Sequence, residues 1–273
     1  MSKVWFITGA ARGLGRDLTE QLLASGDIVV ATARQPNRLD DLVTKYGPEK
    51  MLPVALDVSD AAQVEAVVKK AEDTFGRIDY VINNAGYASM ASIEDIDHKS
   101  FRDQIDANLF GVVNVTKAVL PIMRRQNSGH IIQVSSVGGR VGSPGLAAYQ
   151  SAKWAVGGFS TVLAQEVAPF GIKVTVAEPG GIKTDWATGA AEGVTISEPY
   201  QQTVGEMMKM RELYSSNWSE PSDIARAIIH LGRVDDPPLR IVLGPSAVPH
   251  AQAAAKALAE SDEKWLKLSN LEF

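Results

Sequence analysis

Tyr149 and Lys153 stand four residues apart in Ala147-Ala148-Tyr149-Gln150-Ser151-Ala152-Lys153-Trp154, and Ser136 lies a short way before them. The segment is rich in helix formers, so the phenol and the ammonium should leave one face of one helix. An isolated tyrosine titrates near ~10, and an adjacent cation stabilises its phenolate and draws that value down. Such a pair suits proton transfer beside a carbonyl, and the Ser136 hydroxyl can donate a second hydrogen bond to the same oxygen. Taken singly, each residue reads as well as an ordinary helix pair or an end-of-strand hydroxyl. The stretch from Gln133 to Glu166 becomes a candidate catalytic centre only if the rest of the chain builds a site around it.

Short Val- and Ile-rich runs alternate with segments of helical period, the rhythm of βα units around a parallel sheet buried on both faces. Strands are expected near Val4–Thr8, Ile28–Ala33, Met51–Leu56, Tyr80–Asn83, His130–Ser135, Lys173–Glu178 and Arg240–Leu243. Helices are expected at Gly13–Ser25, Ser59–Phe75, Ser100–Gln126, Ala147–Val167 and Ser222–Leu231, with a helical tail from Ala251. No repeat, linker or low-complexity run divides the chain. Residues 1–273 are therefore read as one α/β domain, a Rossmann-like, doubly wound parallel sheet of about seven strands.

A chain of 273 residues can bury about 75% of the surface its unfolded form exposes, enough for one sizeable core. The charged fraction of 22% and net charge of −5 contain no block of one sign, which argues against a nucleic-acid partner. Cysteine is absent, so thiolate chemistry and disulfides are excluded, and a cytoplasmic location is expected. His98, His130, His230 and His250 are scattered without ligand spacing, and no metal is expected. No run of 18 apolar residues occurs, so no membrane span is expected.

The first strand runs into Thr8-Gly9-Ala10-Ala11-Arg12-Gly13-Leu14-Gly15 and directly into a helix. Gly9, Gly13 and Gly15 allow a tight turn and close backbone approach, so a pyrophosphate can rest on N–H groups at the helix start. The spacing differs from the commonest dinucleotide fingerprint, and close helix–strand packing explains it too. After the second strand come Ala33 and Arg34 where an acid would favour NAD; Arg34, with Arg12 on the same side, favours NADP(H) over NAD(H). Asp57, in Leu56-Asp57-Val58 at the end of the third strand, can meet the adenine or cap the next helix. Asn84, Ala85 and Gly86 turn the chain after the fourth strand. Asn108 sits mid-helix among apolar neighbours, where it can bond a water or remain a satisfied structural amide.

Thr8-Gly9-x-x-x-Gly13-x-Gly15, Asn83-Asn84-Ala85-Gly86, Asn108, Ser136, Tyr149-x-x-x-Lys153 and Pro179-Gly180 occur in the order and at the intervals of the short-chain dehydrogenase/reductase family. The chain resembles that family over about residues 4 to 185, and the six motifs together are far more specific than any one. The resemblance selects Ser136 over Ser135, because Ser136 precedes Tyr149 by thirteen positions. It implies a strand order of 3-2-1-4-5-6-7 and assembly as a homodimer or homotetramer through the helices containing Asn108 and Tyr149. It also implies the catalytic set Asn108, Ser136, Tyr149 and Lys153, with Lys153 both lowering the tyrosine's pKa and holding the nicotinamide ribose. Thr8, Leu14, Val58, Pro179, Gly180, Ile182 and Thr184 join the cofactor-binding residues by the same resemblance. The activity implied is hydride transfer between NADP(H) and a small-molecule carbonyl or secondary alcohol.

Residues 185–218 break the βα rhythm and form a candidate substrate lid. Trp186, Tyr200, Met207, Met208, Met210, Tyr214 and Trp218 suit an apolar cover and a lipophilic substrate, with Trp186 beside Ser136 and Tyr149 as substrate contacts. Val204, Met207 and Met208 also recur at helical spacing and can equally anchor a short helix to the core. The tail, residues 245–273, reads as an amphipathic helix in need of a partner surface. A non-catalytic dinucleotide-binding regulator would not need Ser136, Tyr149 and Lys153. A related epimerase or dehydratase usually has a larger C-terminal region than the roughly 90 residues after Thr184.

Overall fold

Strand β1 (Val4–Thr8) is buried at every position, and β2 (Ile28–Ala33) at all but its first. Strands apolar on both faces need cover on both, which an all-parallel sheet with helical crossovers supplies. The computed structural model describes residues 2–184, 189 and 194–273. The remaining strands are β3 (Met51–Ala55), β4 (Tyr80–Asn83), β5 (Gly129–Val134), β6 (Ile172–Pro179) and β7 (Arg240–Leu243). All pair in parallel in the order 3-2-1-4-5-6-7.

The principal helices are α1 (Gly13–Ala24), α2 (Asp40–Tyr46), α3 (Ala61–Phe75), α4 (His98–Ile105), α5 (Gly111–Gln126), α6 (Ala147–Val167), α7 (Glu206–Tyr214), α8 (Pro221–Gly232) and α9 (Ala247–Lys264). One face of the sheet is covered by Leu14, Leu18 and Leu22 of α1 with Ile224 and Ile228 of α8. The other is covered by Val64 and Val67 of α3, Val115 and Val119 of α5, and Leu163 of α6. These two layers leave the C-terminal strand ends open, where the order reverses between β1 and β4.

Several boundaries differ from the expected ones for local reasons. Asp60, not Asp57, caps α3, its side chain accepting from the Gln63 N–H; Asp57 instead accepts from the N–H of Ser59 at 3.0 Å. Asp97 starts α4 two residues earlier than Ser100 by accepting from the Ser100 N–H at 2.8 Å. The short α2 had no apolar period long enough to announce it. From His98 to Gln126 the helical run is continuous but contains a π-turn at Asp106–Phe110. That run is long and apolar enough by composition to cross a membrane, yet α5 buries Val112, Val115, Val119 and Met123 inside the fold, so it is no clear span. The tail helix α9 buries only Ala247 and Ala251, and Trp265, Leu266, Leu268 and Leu271 beyond it are exposed.

Candidate active site

The reversal between β1 and β4 is pinned by polar groups. Thr8 Oγ1 accepts from the N–H groups of Asn84 at 3.0 Å and Ala85 at 2.9 Å, and Asn84 Nδ2 donates to the Thr8 carbonyl at 2.9 Å. Thr8 is thus buried behind the wall and does not line the cavity, a correction to its expected place among the cofactor contacts. It acts on the site by fixing Asn84 and Ala85.

Above these strand ends lies a cavity of about 1280 Å³. Gly9, Arg12, Gly13, Leu14 and Gly15 line it from the β1–α1 turn, and Arg34, Asp57 and Val58 from the ends of β2 and β3. Asn84, Ala85, Gly86 and Asn108 line its middle. Ser136, Tyr149 and Lys153, with Pro179, Gly180, Ile182 and Thr184, close the far end. Every expected site residue except Thr8 and Trp186 is therefore brought to one space; Trp186 lies outside the described residues.

The glycine turn is shaped by close approach. A Cβ on Gly15 would collide with the Gly9 carbonyl oxygen and lie 2.7 Å from Asn84 Nδ2, so α1 can start this close to β4 only with glycine there. No side chain caps α1, and its first turn carries no acid, which leaves its N-terminal N–H donors facing the cavity. Thr184 Cγ2 reaches the other side of the turn, 3.1 Å from where a Gly13 Cβ would be.

At the catalytic end Tyr149 is 7% exposed and Lys153 4%. The Ser136 hydroxyl accepts from the Gly138 N–H at 3.0 Å, and so keeps its own proton for its hydrogen bond with Tyr149. Ser135 turns away and donates to the Lys153 carbonyl at 3.2 Å. Lys153 Nζ donates to the Val134 carbonyl at 2.9 Å and stands 5.6 Å from the Tyr149 ring centre.

The electrostatics correct the expectation that Lys153 depresses the Tyr149 pKa. Burial pushes the phenol up to about 12, against the Ser136 hydrogen bond and the positive charge of Arg211, which pull it down. Burial also drives Lys153, whose ammonium donates to the Val134 carbonyl, down to about 8. Desolvation outweighs the attraction expected from sequence spacing alone.

Asn108 sits in the π-turn because its side chain competes for the helix ladder: Nδ2 donates to the Gln104 carbonyl and to the Tyr87 carbonyl, each at 2.8 Å. Its Oδ1 is buried with no hydrogen-bond partner among the described residues. A Cβ on Gly86 would collide with that oxygen and lie 3.7 Å from Lys153 Nζ, so acceptor and ammonium flank the same glycine.

Residues 3–194 match the short chain dehydrogenase family. The chain belongs to that family. It is 59% identical over 270 residues to Oxidoreductase BOA17 of Botryotinia fuckeliana, covering 98% of each chain. A short-chain dehydrogenase from Streptomyces avermitilis superposes with a TM-score of 0.90 at 34% identity over all of both chains. An alcohol dehydrogenase from Thermococcus sibiricus, complexed with 5-hydroxy-NADP, superposes with a TM-score of 0.74 at 26% identity over 89% of this chain and 96% of that one.

As a short-chain dehydrogenase, this protein is a nicotinamide-dinucleotide-dependent oxidoreductase of small molecules. Its cavity fits the cofactor on structural grounds: an uncapped helix N-terminus, a glycine turn that admits backbone contact, and cations at the β2 end. Three features of this short-chain dehydrogenase were not read from sequence. Arg38, four residues after Arg34 on a short 3₁₀ turn, also lines the cavity beyond β2, and that spacing was an available signal. Arg211, in the segment read as an apolar lid, lines the cavity beside Tyr149; the helical spacing of Met207 and Met208 was the available signal for its facing. Glu178, fully buried, holds Arg140 and Arg240 immediately before Pro179-Gly180.

Proposed function

We propose that the protein is an NADP(H)-dependent carbonyl reductase or secondary-alcohol dehydrogenase. The observation that carries this is the buried Ser136–Tyr149 hydroxyl pair with Lys153 behind it, at one end of a cavity whose other end is an uncapped helix N-terminus flanked by arginines. When bound, the nicotinamide supplies the hydride that converts carbonyl to alcohol. The phenol of Tyr149, fully protonated at neutral pH, donates to the carbonyl oxygen as negative charge develops there. Ser136 donates to the same oxygen and orients it. Lys153 holds the nicotinamide ribose, and Asn108 Oδ1 holds a water that passes a proton towards Lys153. A panel of ketones and aldehydes with NADPH and NADH tests the reaction; tight cofactor binding with no carbonyl reduced would favour a non-catalytic regulator.

Cofactor choice rests on Arg12, Arg34 and Arg38 around the adenosine end; the Asp57 carboxyl there is held below its ordinary range by the Ser59 hydrogen bonds first, with a smaller contribution from the Arg34 charge. A guanidinium there matches a 2′-phosphate. Arg34→Ala should weaken NADPH binding by about 10- to 100-fold, the loss of one charge-assisted contact, while NADH binding changes little. Equal titration curves for NADPH in the variant and the parent protein would defeat the assignment.

Lys153 gives the pH dependence its sign. The role at the ribose needs the cation, which persists below about 8 and is lost above it. The profile of kcat/KM for NADPH should be flat below about 8 and fall with rising pH beyond it. Tyr149, at about 12, imposes no limb in that range. A profile still flat at pH ~10, the ordinary lysine value, would show that burial does not hold Lys153 down.

Apolar residues back the catalytic end. Met207 and Met208 of α7 pack on Ala88, Met90, Leu146 and Tyr149, so the helix anticipated in the lid region is anchored to the core, and its Arg211 lines the cavity. Assembly is proposed through the outer faces beside Asn108 and on α6, where Phe110, Trp154 and Val162 are exposed. A monomer by light scattering would remove that proposal.

A further inference from the structure

Arg211 has no place in the reaction described above. It lies three and four residues after Met208 and Met207 on α7, hence on the helix face that packs towards Tyr149. Its guanidinium stands 5.4 Å from the centre of the Trp218 ring, over its face. The seat of that ring depends on Gly181: a Cβ there would lie 2.5 Å from Trp218 Cγ. Gly181, Trp218 and Arg211 are therefore stacked from the floor of the cavity to its lid, and all three line it with Ser136 and Tyr149.

On the lid and beside it, Lys209 pairs with Glu206, Lys183 with Glu220 and Arg226 with Asp223. Arg211 has no carboxylate partner among the described residues, and burial makes its charge harder to hold. A half-buried guanidinium that lines a cavity and has no carboxylate beside it among the described residues can take an anion from solution. The cofactor's phosphates have their own donors at the glycine turn and at Arg12 and Arg34, whereas Arg211 stands on the lid side next to Tyr149. The cavity wall here includes the Trp218 ring, Val141 and Leu146, so the complementary ligand has one anionic group on an apolar body.

We propose that Arg211 is the anion receptor of the substrate site, and that the substrate is a carbonyl compound, or the corresponding alcohol, carrying a carboxylate near the reacting carbon. This rests on the carbonyl-reductase reading and narrows its substrate class. One guanidinium between apolar walls matches a monoanion such as a carboxylate, which its planar fork can grip through two parallel hydrogen bonds. The purely lipophilic substrate implied by the lid's composition is thereby replaced by an amphiphilic one.

The test compares linear α- and γ-oxo acids with their methyl esters, following NADPH consumption by the full-length protein and by Arg211→Gln and Arg211→Lys. The parent protein should prefer acid to ester in kcat/KM by about 10- to 100-fold, carried mainly in KM, the worth of one charge-assisted contact. Arg211→Gln should collapse that ratio and Arg211→Lys restore part of it. In parallel, quenching of tryptophan fluorescence by octanoate and by methyl octanoate in the NADP⁺ complex reads anion binding without turnover. Octanoate should quench the parent but not Arg211→Gln. No acid preference in the parent, an acid preference that survives in Arg211→Gln, or equal loss for acid and ester would each overturn the proposal. A weaker Kd for NADPH alone in Arg211→Gln would assign the guanidinium to the cofactor instead. Reduction of esters without acid preference would leave carbonyl reduction standing; Arg211-dependent octanoate binding without any turnover would leave the anion site standing and remove the reaction.

Discussion

Tyr149→Phe is expected to lower kcat for carbonyl reduction by at least about 10²-fold, the usual worth of a positioned general acid, with the Kd for NADPH unchanged within about threefold. The substitution removes only the hydroxyl that Ser136 contacts, and the ring keeps its packing against Ala88, Met90 and Leu146. Folding should therefore be nearly unaffected. With the phenol held at about 12, the parent enzyme carries this proton at every pH used for assay, so the defect should be the same at pH ~6 and pH ~8. Turnover comparable with the parent's would end the assignment of Tyr149. A defect that appeared only on the alkaline side would show instead that the ring matters through Lys153.

The second large effect lies outside the reacting groups. Glu178, fully buried at the end of β6, accepts from Arg140 Nε at 2.6 Å and from Arg240 Nε at 2.9 Å, and Arg240 Nη2 donates on to the Gly139 carbonyl at 3.2 Å. One carboxylate thus joins the loop carrying Ser136, the strand leading into Pro179-Gly180, and β7. Glu178→Gln keeps the shape but leaves two guanidiniums facing a neutral amide. Breaking a buried pair from one side commonly costs about 3–5 kcal/mol; since both arginines are about one-third exposed and can turn to water, about 2–4 kcal/mol is expected. For a chain of this size that is a fall in Tm on the order of 10 °C, accompanied by weaker NADPH binding. Adding Arg140→Met should recover part of the loss. A Tm within about 2 °C of the parent's would show that the network contributes little.

These two expectations differ in how far the sequence foretold them. Tyr149, with Lys153 four residues on, could be read because helical periodicity is a local property and fixes which side chains share a face. Glu178 could not, because its partners are 38 and 62 residues away and meet it only after β5, β6 and β7 pair. Arg211 escaped for a related reason: the helical spacing of Val204, Met207 and Met208 sets its face, but the Trp218 ring that receives the guanidinium sits where the distant Gly181 makes room. Of the two readings of Asp57, adenine contact or helix cap, the cap falls to Asp60, the residue placed to reach the third N–H of α3, while Asp57 lines the cavity.

What the sequence determined by itself was whatever depends on neighbours a few residues apart: the buried strands, the glycine turn opening α1, the tyrosine–lysine pair, and the arginine at the end of β2. These follow from backbone stereochemistry and period, which act before the chain is folded. The tertiary structure alone decided the electrostatic character of the site. It buried Tyr149 and Lys153 so deeply that desolvation, not their mutual attraction, sets both protonation equilibria. It also turned Asn108 Oδ1 towards Gly86 and brought Arg211 over the cavity. Charge is felt through space and through the surrounding dielectric, and neither exists until the sheet and its helices have closed around the site.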